Sequence, residues 1–219
     1  MRGYFLIFGL VLPLLLTAEV VDRVVAVVNA HAILLSELDT AARLEALLDR
    51  RPLDSITETS RQATFERLID RELLRAEMEN SSVTRSTPQE VAAKLAEIQA
   101  QYSGDGQWAA ARKRYGVTQE EVEGAVAEEL DGLRLVDFRL RSSALPDASQ
   151  IDRYYHTVYE PDMRAKRAKP AALAQVTPQI REILLQQKLA DLTATWLQTL
   201  RGQASIQINI KLPEAAAKP

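Results

Sequence analysis

The sequence predicts a mainly α fold with a small β pairing of N-terminal and C-terminal strands. Three observations carry this. Alanine and long-chain helix formers dominate the 219 residues, while aromatics make up 5% and glycine occurs 8 times, a composition that favours helices over a β-sandwich. Helix-opening signals recur, with Thr87-Pro88-Gln89-Glu90 and Thr118-Gln119-Glu120-Glu121 both placing an acid three residues after a threonine, the pattern of a capping box. Finally, two strand-like segments lie near opposite ends of the chain, Val20 to Asn29 and Ala204 to Ile210, so each is the other's natural partner.

The elements follow in order. Val20 to Asn29 is rich in β-branched residues and reads as a strand. Asn29, Ala30 and His31 form a turn, and Ala32 to Leu35 make a short extended return. Ser36 is expected to cap a helix carrying Leu38, Ala41, Ala42, Glu45 and Leu48. A second helix spans about Thr59 to Met78, with Phe65, Leu68, Ile69, Leu73 and Ala76 at helical spacing. The helix opened by Thr87 and Pro88 has the stripe Val91, Leu95, Ile98 and Tyr102. A shorter one carries Trp108, Ala111 and Tyr115 and stops at Gly116.

The helix opened by Thr118 places Val122, Val126, Leu130, Leu133, Val136 and Leu140 on one face, and Asp147 caps a short helix ending near Tyr159. Glu160 to Pro170 is polar, basic and bounded by prolines, an exposed linker. The last helix is expected from Pro178 to Arg201, burying Leu185, Leu189, Leu192, Trp196 and Leu200, with Gly202 ending it. Ile206, Ile208 and Ile210 then alternate with polar residues as a half-buried strand. A lone pairing of the terminal strands is marginal in water, so the first and last helices are expected to cover it and the middle helices to form a separate body.

Residues 1–18 have the layout of a signal peptide: Arg2, an apolar run from Tyr4 to Leu16, then Thr17 and Ala18. The run is short for a membrane span and contains Pro13; an uncleaved anchor is the alternative. Charge is balanced, 27 Lys plus Arg against 30 Asp plus Glu for a net −3, which excludes a nucleic-acid binder that works by neutralising phosphates. Cysteine is absent, so disulfides, thiolate chemistry, Cys-ligated zinc and a lipidated cysteine are excluded.

Four segments together resemble the SurA and parvulin-type periplasmic chaperones. VVDRVVAVVNAHAILLSELD (residues 20–39) is similar to the strand, turn and helix that open their chaperone core. FERLIDRELLRAEM (65–78) is similar to their second helix, WAAARKRYGVTQEEVEGAVAEEL (108–130) to their helix, glycine turn and helix, and IREILLQQKLADLTATWLQTLRGQASIQI (180–208) to their final helix and strand. The resemblance implies a SurA-like chaperone domain in two parts, residues 19–159 and 176–211, with a tail at 212–219. Relatives with isomerase activity insert a parvulin domain of about a hundred residues where this chain has only the linker 160–175. Ala30 stands where the turn favours glycine.

A catalytic constellation is not expected. His31 and His156 are isolated, Ser81, Ser82, Ser142 and Ser143 fall at helix ends, and Glu120, Glu121, Glu123, Glu128 and Glu129 spread around a solvated helix. Asn80-Ser81-Ser82 matches a glycosylation acceptor but reads as a helix end. Arg164, Lys166, Arg167 and Lys169 read as solvated linker charges. Tyr102, Trp108, Tyr115, Tyr154 and Tyr155 are candidates for contacting clients, because aromatics give large contact area with few rotors; core packing of the same residues is the competing reading.

The resemblance thus implies a periplasmic chaperone for unfolded or partly folded polypeptides, outer-membrane protein precursors among them. It would need no cofactor, would bind no nucleic acid and would not stay inserted in the membrane after signal cleavage. Clients would sit in a groove between the terminal-helix core and the middle helices. A homodimer formed by exchanging terminal strands is open. The competing functions are a peptidyl-prolyl isomerase active without the usual domain, and a membrane-tethered assembly or scaffold subunit.

Overall fold

The terminal strands pair as expected, and a third strand joins them. The computed structural model describes residues 22–102, 104 and 106–210; the signal-peptide reading, the first residues of the predicted N-terminal strand and the tail lie outside the described residues. β1 (Val24–Val28) pairs antiparallel with β2 (His31–Leu34) on one side and with β3 (Ile206–Ile208) on the other, in the order β2-β1-β3. The expected two-stranded pairing is corrected to three strands, which makes β1 central. Val25, Ala26 and Val28 are accordingly buried, as a run of β-branched residues on a covered strand should be.

Asn29 supplies the left-handed residue of the turn, at φ 55°, a conformation asparagine tolerates better than most residues. Its N–H donates to the Ser205 carbonyl at 2.7 Å, and its Oδ1 accepts from the Ser205 N–H at 3.1 Å. One residue, through its backbone N–H and its side chain, therefore closes the hairpin and fastens the last strand to it. Ile206 and Ile210 pack against the sheet's core, whereas Ile208, on an edge strand, is 55% exposed.

α1 (Leu35–Leu48) begins one residue before the expected cap. Glu37 accepts the Leu34 N–H at 3.4 Å, and Ser36 donates its hydroxyl to Asp22 instead, so Ser36 ties the chain ahead of β1 rather than capping the helix. Thr57 caps α2 (Glu58–Glu79), accepting the Ser60 N–H at 3.2 Å. Both capping boxes form: Thr87 accepts from Glu90 N–H at 3.3 Å and opens α3 (Pro88–Gln99), and Thr118 accepts from Glu121 N–H at 3.1 Å and opens α5 (Gln119–Ala144). Between them α4 (Gln107–Tyr115) ends at Gly116, at φ 63°, where a side chain would be strained.

Asp147 caps α6 (Ala148–Tyr154), which passes through a π-turn at Tyr155–Tyr159 into α7 (Glu160–Ala165). The linker expected at 160–175 therefore begins as helix. α8 (Leu173–Gln203) starts before Pro178, which lies inside it, and runs past Gly202. Burial explains this departure: Val176 and Ile180 pack with Ile151 and Tyr155, and that contact holds the turn ahead of the proline although its missing N–H weakens it.

The sheet's core unites Val25, Val28 and Ile33 with Leu38 of α1, Phe65, Leu68, Ile69 and Leu73 of α2, and Leu200 of α8, so α2 joins the first and last helices in covering it. A second core joins Leu44 and Leu47 of α1 to Leu95, Tyr115, Val122 and Val126, and a third contact packs α5 on α8 through Ala144, Leu185 and Leu189. Because α5 changes partner along its length, its buried face rotates. Val122 and Val126 are buried as expected, Leu135 replaces Leu133 inside, and Leu133 is 60% exposed. No helix of the described residues is long and apolar enough to cross a membrane.

Candidate functional site

The exposure of Leu133 has a setting: it lines a groove of about 980 Å³ between α1, α2, α3, α5 and α8. On α2, residues 63, 67, 71, 74 and 78 share one face by helical spacing, and Ala63, Arg67, Arg71, Leu74 and Met78 all border the groove. The opposite wall comes from α5, with Ala125, Gly132, Leu133 and Val136, while Leu44 of α1, Ile98 of α3 and Leu197 of α8 complete the apolar surface. Gly132 approaches α2 here: a Cβ at this position would make an ordinary van der Waals contact with the Leu74 side chain at 3.9 Å.

The rim is charged but internally compensated. Arg67 donates to Glu45 at 2.8 Å, and Thr64 donates to the same carboxylate at 2.7 Å. Burial opposes ionisation of Glu45, yet the Arg67 fork and the Thr64 hydroxyl outweigh it and hold its pKa below the ordinary glutamate value. Arg71 pairs with Glu128 at 3.2 Å, joining α2 to α5, and Arg75 pairs with Glu72 at 2.8 Å. Asp131, buried on α5, accepts the Ser86 N–H at 2.5 Å and an Arg85 bond at 3.3 Å, and Arg134 donates to the Thr84 and Arg85 carbonyls at 3.0 and 3.1 Å. These contacts fasten the segment leading into α3 onto α5 and so fix that end of the groove.

The candidate aromatics are not at this groove. Tyr102 donates to the Leu47 carbonyl at 2.5 Å and meets Trp108 edge to face at 5.2 Å. Trp108 donates to Gln119 at 3.3 Å, and Tyr115, 8% exposed, donates to the Arg51 carbonyl at 2.5 Å. All three belong to the second core. Tyr155 is buried with Val176 and Ile180 and donates to the Ala171 carbonyl at 2.8 Å. Tyr154 borders a smaller open pocket beside α6 and α8.

The sequence reading names Ile98, Leu133 and Val136 only as stripe residues and misses the α2 wall altogether, because that arginine-bearing face has the pattern of a solvated face. The available signal was the apolar minority on that face, Ala63, Leu74 and Met78, at the same spacing as the arginines. Elsewhere, His31 lies 3.6 Å from Glu72, and His156 lies on the surface between Asp152 and Glu160. Asn80 donates to the Ala76 carbonyl at 2.9 Å, which finishes α2. Arg164 and Lys166 pair with Glu160 and Asp162 at 3.3 and 2.7 Å. Among the described residues no group of three or more His, Cys, Asp or Glu is placed to hold a metal ion. No protein-family model matches the chain, and no curated protein matches it.

Proposed function

We propose that this chain is a periplasmic chaperone of the SurA-like type that holds unfolded or partly folded polypeptides, outer-membrane protein precursors among them, without catalysing their isomerisation. The observation that carries the reading is the groove: about 980 Å³, floored by aliphatic side chains, with Leu133 60% exposed on its wall. Its rim charges are largely satisfied within the protein, so an incoming segment gains apolar contact without having to match a fixed charge pattern. That suits a surface accepting many sequences. Export through residues 1–18 belongs to the same proposal.

Dilution of a urea-unfolded outer-membrane protein into buffer tests it. A few-fold molar excess of the chain is expected to suppress light scattering, and undiminished aggregation would refute the reading. In a protease-coupled assay on a prolyl peptide, the rate is expected to stay at the uncatalysed value; acceleration would establish isomerase activity.

A further inference from the structure

The second opening, of about 340 Å³, lies away from the groove, between the end of α5, α6 with its π-turn, and α8. Its chemistry is two-sided. Leu145 and Val158 border it with 58% and 44% of their surface exposed, large apolar side chains that the fold leaves uncovered. Arg153 of α6 and Lys188 of α8 border it too, and among the described residues neither has an ion-pair partner, in a chain whose net charge is −3. Asp147 feels the Arg153 charge, but it does not border the pocket, and its Oδ1 accepts the Ser149 hydroxyl and the Gln150 N–H at 2.7 and 2.9 Å.

We propose that this pocket binds the C-terminal end of a polypeptide, with the α-carboxylate held by Arg153 and Lys188 and an apolar last side chain set against Leu145, Val158 and Tyr154. Among the residues that border the pocket two cations, Arg153 and Lys188, outnumber the one acid, Asp191, a balance that favours a single added carboxylate. Gln150 uses its Oε1 on the Asp147 N–H at 2.9 Å, leaving its amide donors for a peptide carbonyl. The volume is at the low end of the roughly 300–1,000 Å³ typical of ligand pockets, room for a chain end but not for a long acyl tail. A free C-terminal carboxylate is common to all released polypeptides, so this site would add a second anchor to whatever occupies the groove, and it stands whether or not the groove reading holds.

The test uses the full chain and a short fluorescein-labelled Gly-Ser peptide ending in phenylalanine, read by anisotropy. The free acid is expected to bind at least about tenfold more tightly than the C-terminal amide, the loss typical of one charge-assisted contact. Arg153→Gln and Lys188→Gln should each erase most of that difference without altering amide binding. Asp191→Asn should tighten the acid form, an effect a merely structural role would not produce. Arg181→Gln, on α8 but outside the pocket, should change nothing. Equal binding of acid and amide, or an unaltered preference in variants whose circular dichroism is intact, would overturn the proposal. So would decanoate competing as well as the unlabelled peptide, which would assign the site to a fatty acid.

Discussion

Leu133→Gln separates a groove wall from a core position. Leu133 is 60% exposed, and fully burying a leucine contributes about 1.5–3 kcal/mol. A client covering what remains exposed gains about 1–2 kcal/mol, so the substitution should weaken client binding by about 5- to 30-fold. Glutamine has nearly the helix propensity of leucine, so the stability of α5 should change by no more than about 0.5 kcal/mol. The matched control is Phe138→Gln on the same helix: Phe138 is 65% exposed but does not border the groove. Binding is followed by anisotropy of a labelled unfolded client segment, and stability by urea denaturation. Equal affinities for Leu133→Gln and the parent protein, with both folded, would refute the groove as the binding surface. A loss of affinity in Phe138→Gln as large as in Leu133→Gln would do the same, because it would show exposed apolar area acting without regard to place.

Tyr115→Phe should cost about 1 kcal/mol in urea denaturation through loss of the bond to the Arg51 carbonyl, with client binding unchanged; weakened binding at unchanged stability would return Tyr115 to the binding surface. Arg201 reaches Asp70 and Glu66 of α2 at 2.6 Å each, so Arg201→Gln should lower stability by about 1–2 kcal/mol, discounted for partial exposure, and speed amide exchange in β3 and the end of α8; unchanged protection there would show that the sheet alone closes the chain. Two carboxylates carry opposite pH dependences. The pKa of Glu45 is lowered, so its contribution is present above the ordinary glutamate value and fades as pH falls through the lower folded value; the stability advantage of the parent over Glu45→Gln should shrink on acidification from pH 7. Burial raises the pKa of Glu37, so its contribution is present below the ordinary value and is lost as pH rises through the raised one. Glu37→Gln should therefore be more stable than the parent at pH 7 and converge with it in acid, and denaturation curves across that range decide both.

What could be read from the sequence is what short-range chemistry fixes. Thr87 with Glu90, Thr118 with Glu121, and Gly116 satisfy or end a helix using neighbours a few residues away, so their spacing was enough. The pairing of β1 with β3 was legible for a different reason: each strand-like segment had to find a partner, and the other end of the chain offered one. The misreadings share a cause. Ser36 carries a good capping side chain, but Asp22 competes for it. Pro178 is a good first helical residue, but the burial of Val176 and Ile180 against α6 outweighs the local preference. The groove is invisible in any one segment because its walls, α2 and α5, are brought together only by tertiary contacts, among them Arg71 with Glu128.

The segment read as a linker shows the same competition at the most consequential place in the chain. Its polar and basic composition says solvated, and most of its side chains are solvated. Its position, however, is set by two tyrosines of the π-turn. Tyr155 donates to the Ala171 carbonyl at 2.8 Å, Tyr159 accepts the Ala171 N–H at 3.4 Å, and the two rings stack with centroids 5.5 Å apart. Both backbone polar groups of Ala171 are thus held by the π-turn. The chain turns back into α8 within a joint that is itself folded, so α6 and α8 keep their mutual packing without an inserted domain between them.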